Sequence, residues 1–285
     1  MQIENKSNLD PNVKALVVEN LNLSFLMYGK GLKKRDNKVI DNLSLDIKQG
    51  ELVAVIGASG SGKSLLAHAI LGILPSNVNI SGEMKLYGEV LDDKLRKETR
   101  GSEMVLVPQM VTHLDPLMPV GKLARDMGVS KEKQRKMFSR YQLDESVDKL
   151  YPFELSGGMA RRVLISTSLL GGARLIIADE PTPGLSLDQA KEVMKHFRQL
   201  ADEGHSVLLI THDIDVALAV ADRLCVFYKG RSIDILDAKT FNEGGDAIKH
   251  PYTRALWEAL PQNGFKAPTQ TIEELANWEG DANEA

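Results

Sequence analysis

Eight residues, Gly57-Ala58-Ser59-Gly60-Ser61-Gly62-Lys63-Ser64, constrain this chain more than any other stretch. They read G-x-x-x-x-G-K-S between an apolar, β-rich run (Leu52-Val53-Ala54-Val55-Ile56) and a helix-like run from Leu65 to Leu71. Strand, glycine loop and helix in that order are what a phosphate-cradling loop requires. Glycines adopt backbone conformations barred to residues with a Cβ, so successive N–H groups can turn inward on phosphate oxygens. The helix adds its positive end. Gly57, Ser59, Gly60, Ser61, Gly62 and Leu65 are therefore expected around the phosphates. Lys63 is expected to reach the β- and γ-phosphates, and the Ser64 hydroxyl to ligate Mg²⁺.

The 285 residues suffice for one large domain, or a domain with a subdomain, around a buried core. A net charge of -4 argues against a general polyanion-binding surface, so nucleic acid is not the expected partner. Cys225 is the only cysteine and sits in an apolar run (Leu224 to Tyr228), which predicts a packing role. The N-terminus lacks the apolar core of a signal peptide. No run approaches the roughly 18–20 apolar residues that span a bilayer, so a membrane role is expected to come through a partner.

Along the chain, residues 1–14 are polar and expected to fray. Leu16 to Tyr28 reads as one or two strands, Gly29 to Arg35 as a basic solvated loop, and Val39 to Ile47 as a strand. After the loop helix come a short strand pair (Ile80 to Gly88) and a buried strand, Met104 to Val107, that ends at Pro108-Gln109. From Val120 to about Leu150 the pattern is helical and charged, and another helix runs from Leu155 to about Leu170. A strand (Leu175 to Ala178), a helix (Asp188 to Ala201), a strand (Val207 to Ile210), a helix (Ile214 to Ala221) and paired strands (Leu224 to Tyr228, Ser232 to Leu236) complete the core. The fold class is α/β: a mainly parallel sheet, an antiparallel β subdomain, and an inserted helical subdomain at about 110–170.

Several groups lie just beyond strand ends, where such sheets bind ligand. Asp179 is suited to hold Mg²⁺, because a hard cation wants oxygen ligands, and Glu180 to activate a water as general base. Gln109 can contact the metal and orient water. His212 can contact the γ-phosphate or brace Glu180. Ser156-Gly157-Gly158 opens a helix and forms a second anion site, best explained if a partner chain shares the nucleotide.

In this order the motifs resemble the nucleotide-binding subunits of ATP-binding-cassette (ABC) transporters, over roughly residues 15–237. Gly57 to Ser64 matches Walker A, Gln109 the Q-loop, Leu155 to Met159 the signature, Leu175 to Glu180 Walker B with its catalytic glutamate, and His212 the switch histidine. The resemblance implies a P-loop NTPase core that binds ATP and Mg²⁺. It also implies two cassettes joined head to tail, with Ser156 and Gly158 on ATP held by the partner's loop. An upstream aromatic stacks on adenine in this family; Tyr28 is the first choice and Phe25 the reserve. Residues 238–265, with His250-Pro251-Tyr252-Thr253-Arg254-Ala255-Leu256, look like the extension of the oligopeptide, dipeptide and nickel importer subgroup, and Leu114 to Met118 agrees. That subgroup implies two membrane-spanning permeases, a second ATPase subunit (heterodimer favoured over homodimer) and, indirectly, an extracytoplasmic solute-binding protein. The chain would then sit on the cytoplasmic face of the cell membrane.

Three features depart from the family pattern: Met159 where glutamine is commoner, Ser186 where aspartate is usual, and no cysteines after Pro261. Residues 266–285 hold five carboxylates and one lysine and are expected to form a mobile acidic end. The rival readings are a non-transport cassette ATPase, a small-molecule kinase, and a weakly hydrolysing cassette paired with a catalytic paralogue.

Overall fold

A computed structural model describes residues 10, 12–28, 34–126, 128–268 and 270–278, without the side chains of Tyr28, Lys34 and Arg35. Strands β3 (Leu52–Ile56), β7 (Leu175–Asp179) and β8 (Ser206–Thr211) are buried throughout. Their continuous apolar runs fit strands covered on both faces. With β6 (Met104–Val107), β9 (Arg223–Tyr228) and β10 (Arg231–Asp237) they form a six-stranded sheet of order β10-β9-β3-β8-β7-β6, in which only β10 is antiparallel. Side-chain alternation divides the core in two. Leu52, Ala54 and Ile56 face a cluster with the later helices, and Val53 and Val55 face a cluster with the second sheet.

That second sheet is antiparallel, in the order β2 (Lys34–Lys48), β1 (Lys14–Tyr28), β4 (Val78–Leu86), β5 (Glu89–Val90). Helix α1 (Lys63–Leu71) lies between the sheets, with Leu66, Ala67, Ile70 and Leu71 buried, and α2 (Asp93–Thr99) follows β5. Leu16 to Tyr28 is one strand, and register shifts between Val18 and Leu23 surround Asn20 at φ 50°. β2 begins at Lys34, earlier than alternation alone indicated, because pairing with β1 extends through Met27 to Arg35. Of the basic loop, residues 29–33 lie outside the described residues, as do 1–9 and 11 of the N-terminal segment.

The inserted helices are α3 (Val120–Arg125), α4 (Lys131–Arg140) and α5 (Gly157–Ser168). Gln134 is fully buried on α4; it accepts from Arg125 and donates to Asp148, which also accepts from Arg135. Tyr141 hydrogen-bonds His196 of α6 (Leu187–Asp202), tying the insertion to the core. Burial pushes His196 down to about 3, so that ring is neutral at this junction. Cys225 is buried in β9, where burial pushes its thiol up to about 12. Its role in the fold is packing, in the cluster between the two sheets.

After α7 (Ile214–Leu218) and the β9-β10 hairpin come α8 (Ala238–Glu243), α9 (Pro251–Glu258) and α10 (Ile272–Ala276). Thr253 is fully buried and donates to Asp234 of β10, while Phe241, Ile248 and Tyr252 join the core. The acidic end is corrected in part. Residues 272–276 are helical, capped by Thr271 with Glu274, and Leu275 is buried against the core. An apolar residue at the inner face of one capped turn docks the segment despite its carboxylates. Among the described residues no helix is long and apolar enough to cross a membrane.

Candidate functional site

The glycine loop joins β3 to α1 and is seated on its neighbours by backbone contacts. A Cβ on Gly57 would lie 2.2 Å from the Phe227 carbonyl oxygen, so only glycine fits against β9 there. Gly62 caps α1 at φ 103°. Lys229 and Gly230, both at positive φ, form the two-residue turn between β9 and β10. From that turn the Gly230 N–H donates to the Ser61 carbonyl at 2.9 Å. Ser59 and Gly60 are exposed at the loop's apex. The Leu65 N–H is already donated to the Gly62 carbonyl at 3.0 Å.

Gly57→Ala is expected to lower the melting temperature and abolish nucleotide binding, because the loop must shift off β9. Gly60→Ala meets nothing within 4 Å but keeps φ 78°, so it should cost only about 1 kcal/mol of stability. Thermal melts of the two variants check this contrast.

Lys63 is 6% exposed, and its ammonium donates to the carbonyls of Gly57 at 2.7 Å and Ala58 at 2.9 Å. Burial pulls its pKa below the ordinary lysine value, opposed by the charges of Glu180 and Asp179. The Ser61 hydroxyl is buried without a partner among the described residues, a donor left spare inside a loop shaped to take an anion. Ser64 donates to Asp179 Oδ1 at 3.1 Å. Burial, partly offset by that bond, pushes the Asp179 carboxyl above its ordinary value. A hydroxyl beside a carboxylate is the kind of oxygen donor set that Mg²⁺ takes, so Ser64 and Asp179 are the residues that would hold it. No group of three His, Cys, Asp or Glu suited to a metal occurs among the described residues.

Glu180 follows β7 at φ 46°, rare for a residue with a side chain, and its N–H is held by the Ile210 carbonyl at 2.9 Å. Its carboxylate lies 2.9 Å from His212 Nδ1 through both oxygens; the carboxylate is 9% exposed and the imidazole 61%. The structure thus brings Ser64 to Asp179 and Glu180 to His212 at the carboxyl ends of the neighbouring parallel strands β3, β8 and β7. Gln109, two residues past β6, is exposed and makes no hydrogen bond to Ser64, Asp179 or Glu180. Tyr28 closes β1 opposite Lys34, and its side chain lies outside the described residues.

Residues 40–183, which span the loop and its partner carboxylates, match a family model described as ABC transporter. The chain belongs to the ABC transporter family. It is 32% identical to the dipeptide transport ATP-binding protein DppD of Bacillus subtilis (strain 168), over 87% of this chain and 77% of that protein. It is also 32% identical to the glutathione import ATP-binding protein GsiA of Shigella boydii serotype 4 (strain Sb227), over 87% of this chain but 42% of that longer protein. Among solved structures, a dimeric post-hydrolysis state of the ATP-binding cassette MJ0796 bound to ADP and Pi shares the fold. Its TM-score is 0.70 at 24% identity, over 78% of this chain and 98% of that one. The chain is an ATPase subunit of this family.

In this ABC cassette the segment expected to be the signature, Leu155 to Met159, lies at an exposed helix start. Ser156 caps α5 by accepting from the Met159 N–H at 3.3 Å, and Ser156 and Gly157 are exposed. A Cβ on Gly158 would meet Gln189 Oε1 at 3.3 Å and the Gly184 carbonyl at 3.9 Å, so this helix start leans on the first turn of α6 and the turn before it. There Ser186 caps α6 in a box with Gln189. Serine thus performs the capping that aspartate would perform, without its charge. Sequence reasoning missed the Gly230 bond to Ser61. The two-residue turn between paired apolar runs was the available signal.

Proposed function

We propose that this subunit couples MgATP binding and hydrolysis to import of a peptide-class solute from the cytoplasmic face of the cell membrane. The observation that carries the solute class is the likeness, over 87% of the chain, to proteins named for dipeptide transport and glutathione import. Nickel and metal chelates are the other solutes of the subgroup, and the same test separates them.

In this reading Tyr28 stacks on the base, Gly57 to Gly62 enclose the phosphates with backbone N–H groups, and Leu65 adds the start of α1. Lys63 leaves its carbonyl partners for the β- and γ-phosphates. Ser64 and Asp179, with Gln109, hold Mg²⁺, which when bound draws charge from the terminal phosphate oxygens. Glu180 takes the proton of the attacking water, and His212 fixes its carboxylate. Ser156, Gly157 and Gly158 serve the nucleotide on a second cassette. Phosphoryl transfer leaves the protein mainly positioning and charge stabilisation to supply, which this arrangement provides.

The proposed partners are two membrane-spanning permeases, a second ABC ATPase forming a heterodimer, and indirectly an extracytoplasmic solute-binding protein. Nucleic acid is not among them. Ser186 favours an asymmetric pair, because this chain caps α6 without an aspartate charge. The test is a pull-down from the native membrane in mild detergent, with phosphate release assayed on the same sample and stimulation tried with dipeptides, glutathione and Ni²⁺. Recovery of two permeases and a second cassette, with peptide stimulation, is the expected result. Recovery alone or with soluble partners only would sink the importer reading.

A further inference from the structure

The second turn of the signature helix buries a cation that the scheme above leaves unused. Arg161 is 5% exposed, its Nη1 donates to the Pro108 carbonyl at 2.9 Å, and its Nε is buried without a partner among the described residues. No carboxylate among the described residues pairs with it, and burial alone pulls its pKa below the ordinary arginine value. A desolvated guanidinium held by a neutral carbonyl is costly, and an apolar side chain of similar volume would avoid that cost. The next residue differs. Arg162 bonds the Tyr141, Gln142 and Gly158 carbonyls, all within the helical insertion.

Pro108 gives Arg161 its meaning. It directly follows β6 and directly precedes Gln109, and having no N–H it offers the rest of the protein only its carbonyl. Arg161 lies on the helix whose N-cap is Ser156, about 7.5 Å further along the axis. One guanidinium therefore joins the helix bearing Ser156 and Gly158 to the residue beside Gln109. Gln109 itself is exposed and makes no hydrogen bond to Ser64 or Asp179.

We propose that Arg161 is a positioning residue that makes the signature helix and the Gln109 segment move as one body, so that docking Ser156–Gly158 on nucleotide carries Gln109 toward Ser64 and Asp179. This rests on the ATPase scheme above. A rigid link between two parts of a site should affect the rate of the reaction and leave the affinity of a loop it never touches unchanged.

The test uses the full chain in its assembled transporter, with ATP affinity, kcat and melting temperature measured for each variant. Arg161→Met should keep ATP affinity within about threefold and lose about tenfold or more in kcat. Arg161→Gln keeps a neutral donor for Pro108 and should recover kcat to within about threefold of the parent. The double variant Arg161→Met/Gln109→Ala should be no slower than the worse single, because both break one linkage. Parent-like kcat in Arg161→Met, or a fully multiplicative loss in the double, would overturn the proposal. Parallel losses of affinity, kcat and melting temperature would also overturn it, as they mark plain structural damage. Should Arg161→Met not fold, Arg161→Leu and Arg161→Gln differ in the donor alone, and kcat values closer than about threefold would reject the link. Lys63→Ala runs alongside: if it retains both affinity and turnover, the ATPase scheme itself fails. If it loses both while Arg161→Met behaves as the parent, only the positioning role falls.

Discussion

Glu180→Gln should bind ATP within about twofold of the parent and lose about 10² to 10⁴ in turnover, the usual worth of a positioned general base. The carboxylate is almost enclosed, its backbone is pinned at φ 46° by the Ile210 carbonyl, and His212 Nδ1 sits 2.9 Å from both oxygens. An amide of the same shape keeps a hydrogen bond to His212 and removes only the capacity to accept a proton. Because Lys63, Ser64 and Asp179 are untouched, affinity should survive while phosphate release does not. Single-turnover hydrolysis beside equilibrium nucleotide binding separates the two. Near-parent hydrolysis would take the base role from Glu180. His212→Ala should cost less, since the backbone and burial still hold the carboxylate in place.

The candidate site could be proposed from sequence because its residues follow runs that local pattern already marks. Leu52 to Ile56, Leu175 to Ala178 and Val207 to Ile210 are continuous apolar segments, and a residue just past a buried strand falls at the ligand edge of a parallel sheet. The parts that local pattern does not encode depend on partners distant in sequence. Lys34 and Arg35 read as a polar loop until β1 pairs with them. Leu275 reads as part of an acidic end until α9 and the core cover it. Arg161 and Arg162 are not told apart by their neighbours in sequence, and only the fold shows one guanidinium buried on Pro108 and the other on the carbonyls of Tyr141 and Gln142. Spacing marks Gln109 as a candidate by its place two residues past β6, but which groups its exposed amide meets is not recorded in any periodicity.

Lys63→Ala should weaken ATP and ADP binding by about 10- to 100-fold, the loss of one charge-assisted contact worth roughly 1.5–3 kcal/mol at 1.4 kcal/mol per factor of ten. Its ammonium is held by the Gly57 and Ala58 carbonyls, so the cation is stored inside the loop it serves. Desolvation by the loop strengthens whatever charge it meets, since the medium screens less there than water does. Truncation also leaves Asp179 and Glu180 without the nearby positive charge that opposes their mutual repulsion. A polyphosphate entering the loop then meets net negative charge. Adenosine has no phosphate for Lys63 to reach, so its weaker affinity should change by less than about threefold, the scatter expected of a group not in contact. Titrating ATP, ADP and adenosine against both proteins therefore reads the phosphate contribution directly. Equal losses for all three ligands would mean that the substitution had collapsed the loop. Unchanged ATP affinity would remove the phosphate role from Gly57 to Ser64 altogether.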